Sequence, residues 1–254
     1  MSNPHTSQVV AVDRTFKGLR QFNSDEGRRL AGRKDRMVPF WDHWFPTNSL
    51  ADRFARALSA RQAIDIKEYC ESFEFFTRTR RHLRQSTVAD LCCGHGLTGI
   101  LYAIFEREVE RVDLVDRIRP RSFSRVFEAA QSVAPWVSQK VVFHEMAMSQ
   151  YDPGPATSLL GVHACGLRTD RCISLALERR LPVAVMPCCY SPTGYGPRDR
   201  VFDESLGVAL AIDIDRTYAL RNAEYSVRWK AIPRAVTPMN RIILGLPRPS
   251  EGER

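Results

Sequence analysis

Between residues 50 and 84 apolar side chains recur three and four positions apart: Leu50, Phe54, Ala57 and Leu58, then Ile64, Ile66, Tyr69, Phe73 and Phe76. That period lines one face of a helix, so one or two amphipathic helices are predicted there. After Ser86 the texture changes. Short apolar runs at 87–93, 111–116, 140–145, 157–163 and 182–188 read as strands, and helical patterns at 97–108, 121–134 and 169–180 fill the gaps. Such alternation predicts an α/β fold built on a doubly wound parallel sheet covered on both faces. Beyond a loop rich in Pro and Gly at 191–200, a helix is expected at about 203–222. Strands at about 225–232 and 240–246 lie near enough to pair as an antiparallel end. No internal repeat is visible.

Ahead of this region, residues 1–36 carry eight basic residues between Arg14 and Arg36 with few apolar ones, which predicts a basic arm, mobile or loosely helical. The aromatic stretch Met37 to Phe45 should dock on the body, and 37–84 as a whole should form a helical extension or lid. With 44% apolar and 26% charged residues in 254, the chain can bury a sizeable core. No apolar run approaches the roughly 18 residues of a membrane span, and Met1 to Gln8 lacks the pattern of a signal peptide. A cytosolic chain without membrane contact is therefore expected. Seven cysteines, an odd number, should be reduced thiols, and no CxxC pair suggests a zinc ribbon.

The first strand-to-helix turn reads Asp90-Leu-Cys92-Cys93-Gly94-His95-Gly96-Leu-Thr-Gly99. Glycines at 94 and 96 let the backbone turn sharply and lie against a ligand, and the next helix offers unpaired N–H groups. Dinucleotide binders share this spacing. Asp116, at the end of the second strand, can accept both hydroxyls of a ribose in either case. Asp90 separates the two readings, because a carboxylate just ahead of the turn repels a pyrophosphate and tolerates the ammonium and sulfonium of S-adenosylmethionine.

At this point the chain resembles the class I S-adenosylmethionine-dependent methyltransferases, whose first motif is D-x-G-x-G-x-G. Asp90, Cys92, Gly94 and Gly96 fall in that frame, with cysteine in place of the first glycine. Three further segments, VHACGLRTD (162–170), MPCCY (186–190) and IPRAVTPMNRIILG (232–245), resemble a narrower group. That group holds the methyltransferase domain fused to glutathione-transferase-like sequences and, more distantly, the tRNA acceptor-stem 2′-O-methyltransferases. The resemblance spans about residues 60–247. It implies a seven-strand Rossmann-like methyltransferase sheet of order 3-2-1-4-5-7-6 over residues 85–247, with 248–254 as a tail. It also implies a cofactor site of Asp90, Cys92, Cys93, Gly94, His95, Gly96 and Asp116. Glu145 or the Met146-Ala147 backbone stands where the adenine contact belongs.

In that sheet order strands one, four and five are neighbours, so Cys92-Cys93, His163-Ala-Cys165 and Cys188-Cys189-Tyr190 converge at the edge where ligands bind. His163 suits a general base or a loop-holding imidazole. Asp170, beside Thr169, reads as a helix-terminus residue or as an acceptor contact. Cys188 reads as a nucleophile or an inert thiol, and Tyr190 as an aromatic wall or a core residue. Adjacent cysteines on a strand point to opposite faces, so no metal is assigned.

The net charge of +8 comes almost wholly from arginine, since only five of the 37 basic residues are lysine. The arm and the cluster at Arg117, Arg119, Arg121 and Arg125 favour a polyanion. The cluster at Arg78, Arg80, Arg81 and Arg84 is expected to solvate a helix end. The expectation is a methyltransferase acting on RNA, with tRNA the preferred substrate. A protein or small-molecule acceptor under a lid lined by Trp41, Trp44 and Phe76 is the alternative, and a non-catalytic cofactor-binding module the next.

Overall fold

The computed structural model describes residues 15–162, 164–190 and 200–249. Seven strands form one sheet in the order β3-β2-β1-β4-β5-β7-β6. They are β1 (Thr87–Leu91), β2 (Arg111–Asp116), β3 (Val141–Glu145), β4 (Thr157–Val162), β5 (Val183–Met186), β6 (Tyr225–Ala231) and β7 (Arg241–Pro247). The first five are parallel, and β7 runs antiparallel between β5 and β6. The carboxyl ends of β1, β2, β4 and β5 therefore share one edge. The central strands are buried on both faces, which is why they read as continuous apolar runs. Val88, Leu160, Ala184 and Leu244 face one core, while Ala89, Leu159, Val183 and Ile243 face the other.

The helices are α1 (Asp25–Ala31), α2 (Leu50–Ala60), α3 (Ile66–Thr79), α4 (Leu97–Phe105), α5 (Arg121–Val133), α6 (Val137–Lys140), α7 (Leu167–Arg179), α8 (Arg200–Leu206) and α9 (Val208–Asn222). The helix expected at 203–222 is two helices, broken at Gly207, whose φ of +81° suits glycine. β1 ends two residues early because Cys92 already turns, at φ +56°. β5 stops at Met186, one residue before Pro187, which has no N–H to give the sheet.

Residues 15–36 correct the expectation of a loose arm. Phe16, Leu19, Phe22 and Ala31 are buried. The carboxylate of Glu74, itself fully buried on α3, accepts from the N–H groups of Lys17 (3.1 Å), Gly18 (2.8 Å) and Leu19 (3.0 Å) and pairs with Arg78. One acid thus ties the segment to the body. Residues 1–14 lie outside the described residues, as do 250–254 of the expected tail. The 37–84 extension is core and not a lid: Trp41 and Phe76 are 4% and 1% exposed, and Trp44 stacks on Phe22 at 5.0 Å. Phe76 meets Tyr102 edge-on at 5.0 Å, joining α3 to α4. Among the described residues no helix is long and apolar enough to cross a membrane.

Candidate active site

Three residues at positive φ shape the turn after β1: Cys92 (+56°), Gly94 (+54°) and Gly96 (+74°). Gly96 is needed twice over, since an added Cβ would also lie 2.6 Å from Leu114 Cδ1. At Gly94 an added Cβ meets nothing within 4 Å, so the loop's outer face is open to a ligand. Cys92 holds the same backbone region without glycine's freedom, at a cost of about 1 kcal/mol.

Two carboxylates brace this loop. Asp116 Oδ2 accepts from the Gly94 N–H at 2.8 Å and Oδ1 from the Arg117 N–H at 2.7 Å. A carboxylate has about four lone-pair sites, so acceptor capacity remains for ribose hydroxyls. Asp90, 2% exposed, accepts from the Gly99 N–H at 2.9 Å and clamps the first turn of α4. It still borders the cavity described next.

Two cavities, of about 480 and 270 Å³, share Cys92 in their linings. The larger is bordered by Asp90, Cys93, Gly94 and His95 of the loop, by Val162 at the end of β4, and by Lys34, Asp65, Glu68 and Glu71 of the N-terminal extension. The smaller is bordered by Asp116, Arg117, the stretch from Met146 to Ser149, and by Arg168 and Arg171 of α7. Glu145 is exposed and outside that lining, whereas Met146 and Ala147 border it. An acid-bordered half beside a half holding the ribose-type carboxylate fits the amino-acid and nucleoside parts of S-adenosylmethionine.

Glu68 was not foreseen. His95 Nδ1 accepts from the Leu97 N–H at 3.2 Å, which leaves Nε2–H facing Glu68 Oε1 at 3.7 Å. The imidazole holds the Glu68 carboxyl down at about 2, against burial, which pushes it up. Glu68 also accepts from the Asp65 N–H, completing a capping box at the start of α3. In sequence the Asp-x-x-Glu spacing signals only that cap.

At the acceptor side, His163 lies outside the described residues. Cys165 Sγ is 2.8 Å from Cys188 Sγ, and Cys188 Sγ 3.5 Å from Cys189 Sγ, with all seven cysteines free. Burial pushes the Cys165 and Cys188 thiols up, which works against a thiolate nucleophile at Cys188. Asp170 and Tyr190 are occupied elsewhere. Asp170 forms a two-point pair with Arg216 (2.8 and 2.9 Å), which also meets Asp213 at 3.2 Å. Tyr190 donates to Asp213 at 2.7 Å, and Arg241 meets the same carboxylate at 2.8 Å. Asp213 and Arg216 are buried, so this network is a strut between α7 and α9 that sequence distance concealed. α7 starts after Gly166, which puts Asp170 in its first turn, and the Thr169 hydroxyl donates to the Ala164 carbonyl at 2.5 Å.

Away from the loop, a cavity of about 810 Å³ is bordered by Lys17, Arg78, Arg80, Arg81, His82, Arg84 and Lys230, with no acid in its lining. Arg80 and Arg84 face Glu106 and Glu108 outside it. Burial and the surrounding cations hold His82 and Lys230 below their ordinary values. The 78–84 cluster, expected to solvate a helix end, builds a basic concavity instead. Arg119, from the cluster favoured before, is spent over the rings of Phe143 (4.8 Å) and Phe123 (5.6 Å).

A family model described as a methyltransferase domain matches residues 61–193. A Xenopus laevis glutathione S-transferase C-terminal domain-containing protein is 26% identical over 199 residues, 63% of this chain and 31% of the relative. The chain thus spans about a third of that relative's length. The methyltransferase domain of bacterial CtHen1-C superposes at a TM-score of 0.49 with 15% identity, covering 72% of this chain and 100% of that one. A SAM-dependent methyltransferase from Aquifex aeolicus does so at 0.39 with 12% identity, covering 66% and 86%. Both structural likenesses are too loose to bear on the acceptor.

Proposed function

The chain belongs to the methyltransferase domain family, and from that premise we propose that it methylates RNA, with tRNA the first candidate, using S-adenosylmethionine. When bound, S-adenosylmethionine supplies a methyl group already activated by positive sulfur, so the protein has chiefly to align the acceptor. Asp116 would hold the ribose, the Met146-Ala147 backbone the adenine, and Asp90 with Glu68 the amino-acid end. Of the residues expected to do acceptor chemistry, Cys188, Asp170 and Tyr190 are committed to other contacts. For a hydroxyl acceptor the proton therefore falls, by sequence position, to His163. His163→Ala is expected to lower turnover at least about 100-fold with donor affinity unchanged; unaltered turnover would remove that role.

The observation that carries the RNA reading is the basic cavity without an acid in its lining. About 15 Å of α3 separates Glu68, at the cofactor loop, from Arg78, at the cavity. That span suits an extended polyanion reaching both places better than a small acceptor. The lid reading loses its support, because Trp41 and Phe76 are packed into the core. Gel shift against total tRNA at rising salt tests the proposal. Binding should fall steeply with salt, and Arg81→Glu with Lys230→Glu should weaken it and flatten the salt slope by roughly 1 per lost phosphate contact. Binding that ignores salt, or a double variant that binds like the parent, would contradict it.

A further inference from the structure

We propose that Cys165, Cys188 and Cys189 bind a zinc ion. Their three Sγ atoms lie within 4.8 Å of one another, gathered from the β4–α7 turn and the segment after β5. Four-coordinate zinc with sulfur at about 2.3 Å sets neighbouring sulfurs about 3.8 Å apart. The separations of 2.8 Å and 3.5 Å, with the third pair inside 4.8 Å, reach that triangle by shifts of about 1 Å. None of the three is in a disulfide.

The objection to adjacent cysteine ligands holds only inside a strand, where successive side chains alternate. β5 ends at Met186, and Cys188 and Cys189 follow Pro187 in irregular backbone that brings both sulfurs to one side. Three thiolates select a soft or borderline divalent ion, and zinc needs no redox partner. Binding takes one proton from each ligating thiol to solvent, and no electron moves. Cys189 is exposed, so the fourth position can hold water. The ion would pin the ends of β4 and β5 together on the side where an acceptor approaches.

The test uses the full chain, purified without a metal-binding tag and dialysed with reductant, with zinc measured by plasma mass spectrometry. About one zinc per chain is expected, lost in Cys165→Ser and in Cys188→Ser. Those half-buried substitutions can unsettle the fold, so Cys189→Ser, at an exposed position, is measured beside them with thermal melts; it should lower zinc retention with the melt of the metal-stripped protein unchanged. Cobalt added to the stripped chain should give thiolate-to-metal charge-transfer absorption. No zinc, zinc that survives all three substitutions, or a Cys165–Cys188 disulfide in the reduced preparation would overturn the proposal.

Discussion

Cys92 and Glu68 show how single side chains set the cofactor loop. Cys92 holds a left-handed backbone that glycine adopts freely, so Cys92→Gly should stabilise the chain by about 0.5–1 kcal/mol in denaturant titration. A loss of stability would mean that its side-chain packing outweighs the strain. Glu68 carries a pH consequence. Its folded value of about 2 lies below the ordinary 4.5, so its stabilising contribution is complete above about 4.5 and is lost as pH falls towards 2. In His95→Ala the chief cause is gone, and a carboxyl NMR titration should place Glu68 nearer its ordinary value. An unmoved midpoint would show that the imidazole is not responsible. Asp90, Gly94, Gly96 and Asp116 were legible because a turn between strand and helix demands those residue types at fixed spacing. Glu68 was not, since its partner arrives from a different element and its local pattern is explained by a helix cap.

At the scale of elements, α3 does more than its amphipathic pattern declares. One face supplies aromatic core, and a single acid, Glu74, carries the N-terminal segment. Glu74→Ala would leave Arg78 buried without its carboxylate and three backbone donors without an acceptor, at a cost of about 3–5 kcal/mol. Thermal melts and limited proteolysis near residues 15–23 check this. A small shift in melting with the segment still protected would show that the aromatic contacts of Phe16 and Phe22 suffice. The centre of the sheet was readable from apolar runs because β1, β2, β4, β5 and β7 are largely buried on both faces, whereas the edge strands β3 and β6 are only partly so. The helix breaks were less so: Gly207 sits inside a continuous helical pattern, and only its positive φ reveals the break. The link from Asp170 to Arg216, 46 residues apart, has no local signal at all.

For the whole molecule, total charge said less than its placement. The +8 is divided among ion pairs, guanidinium–ring contacts and one concavity without acids. The first two leave little for a partner, and the third gathers cations around one space, although Arg78, Arg80 and Arg84 among them are also paired with Glu74, Glu106 and Glu108. The N-terminal segment, expected to be free, contributes Lys17 to that concavity through its anchor on Glu74. Cofactor loop, extension and basic concavity are thus joined through α3. The central claim is that the loop after β1 serves methyl transfer to RNA. The most direct measurement is incubation of the chain with methyl-labelled S-adenosylmethionine and cell extract, followed by separation into RNA, protein and small-molecule fractions. Label should enter RNA and vanish with Asp116→Ala; label confined to protein or small molecules, or undiminished in that variant, would contradict the account.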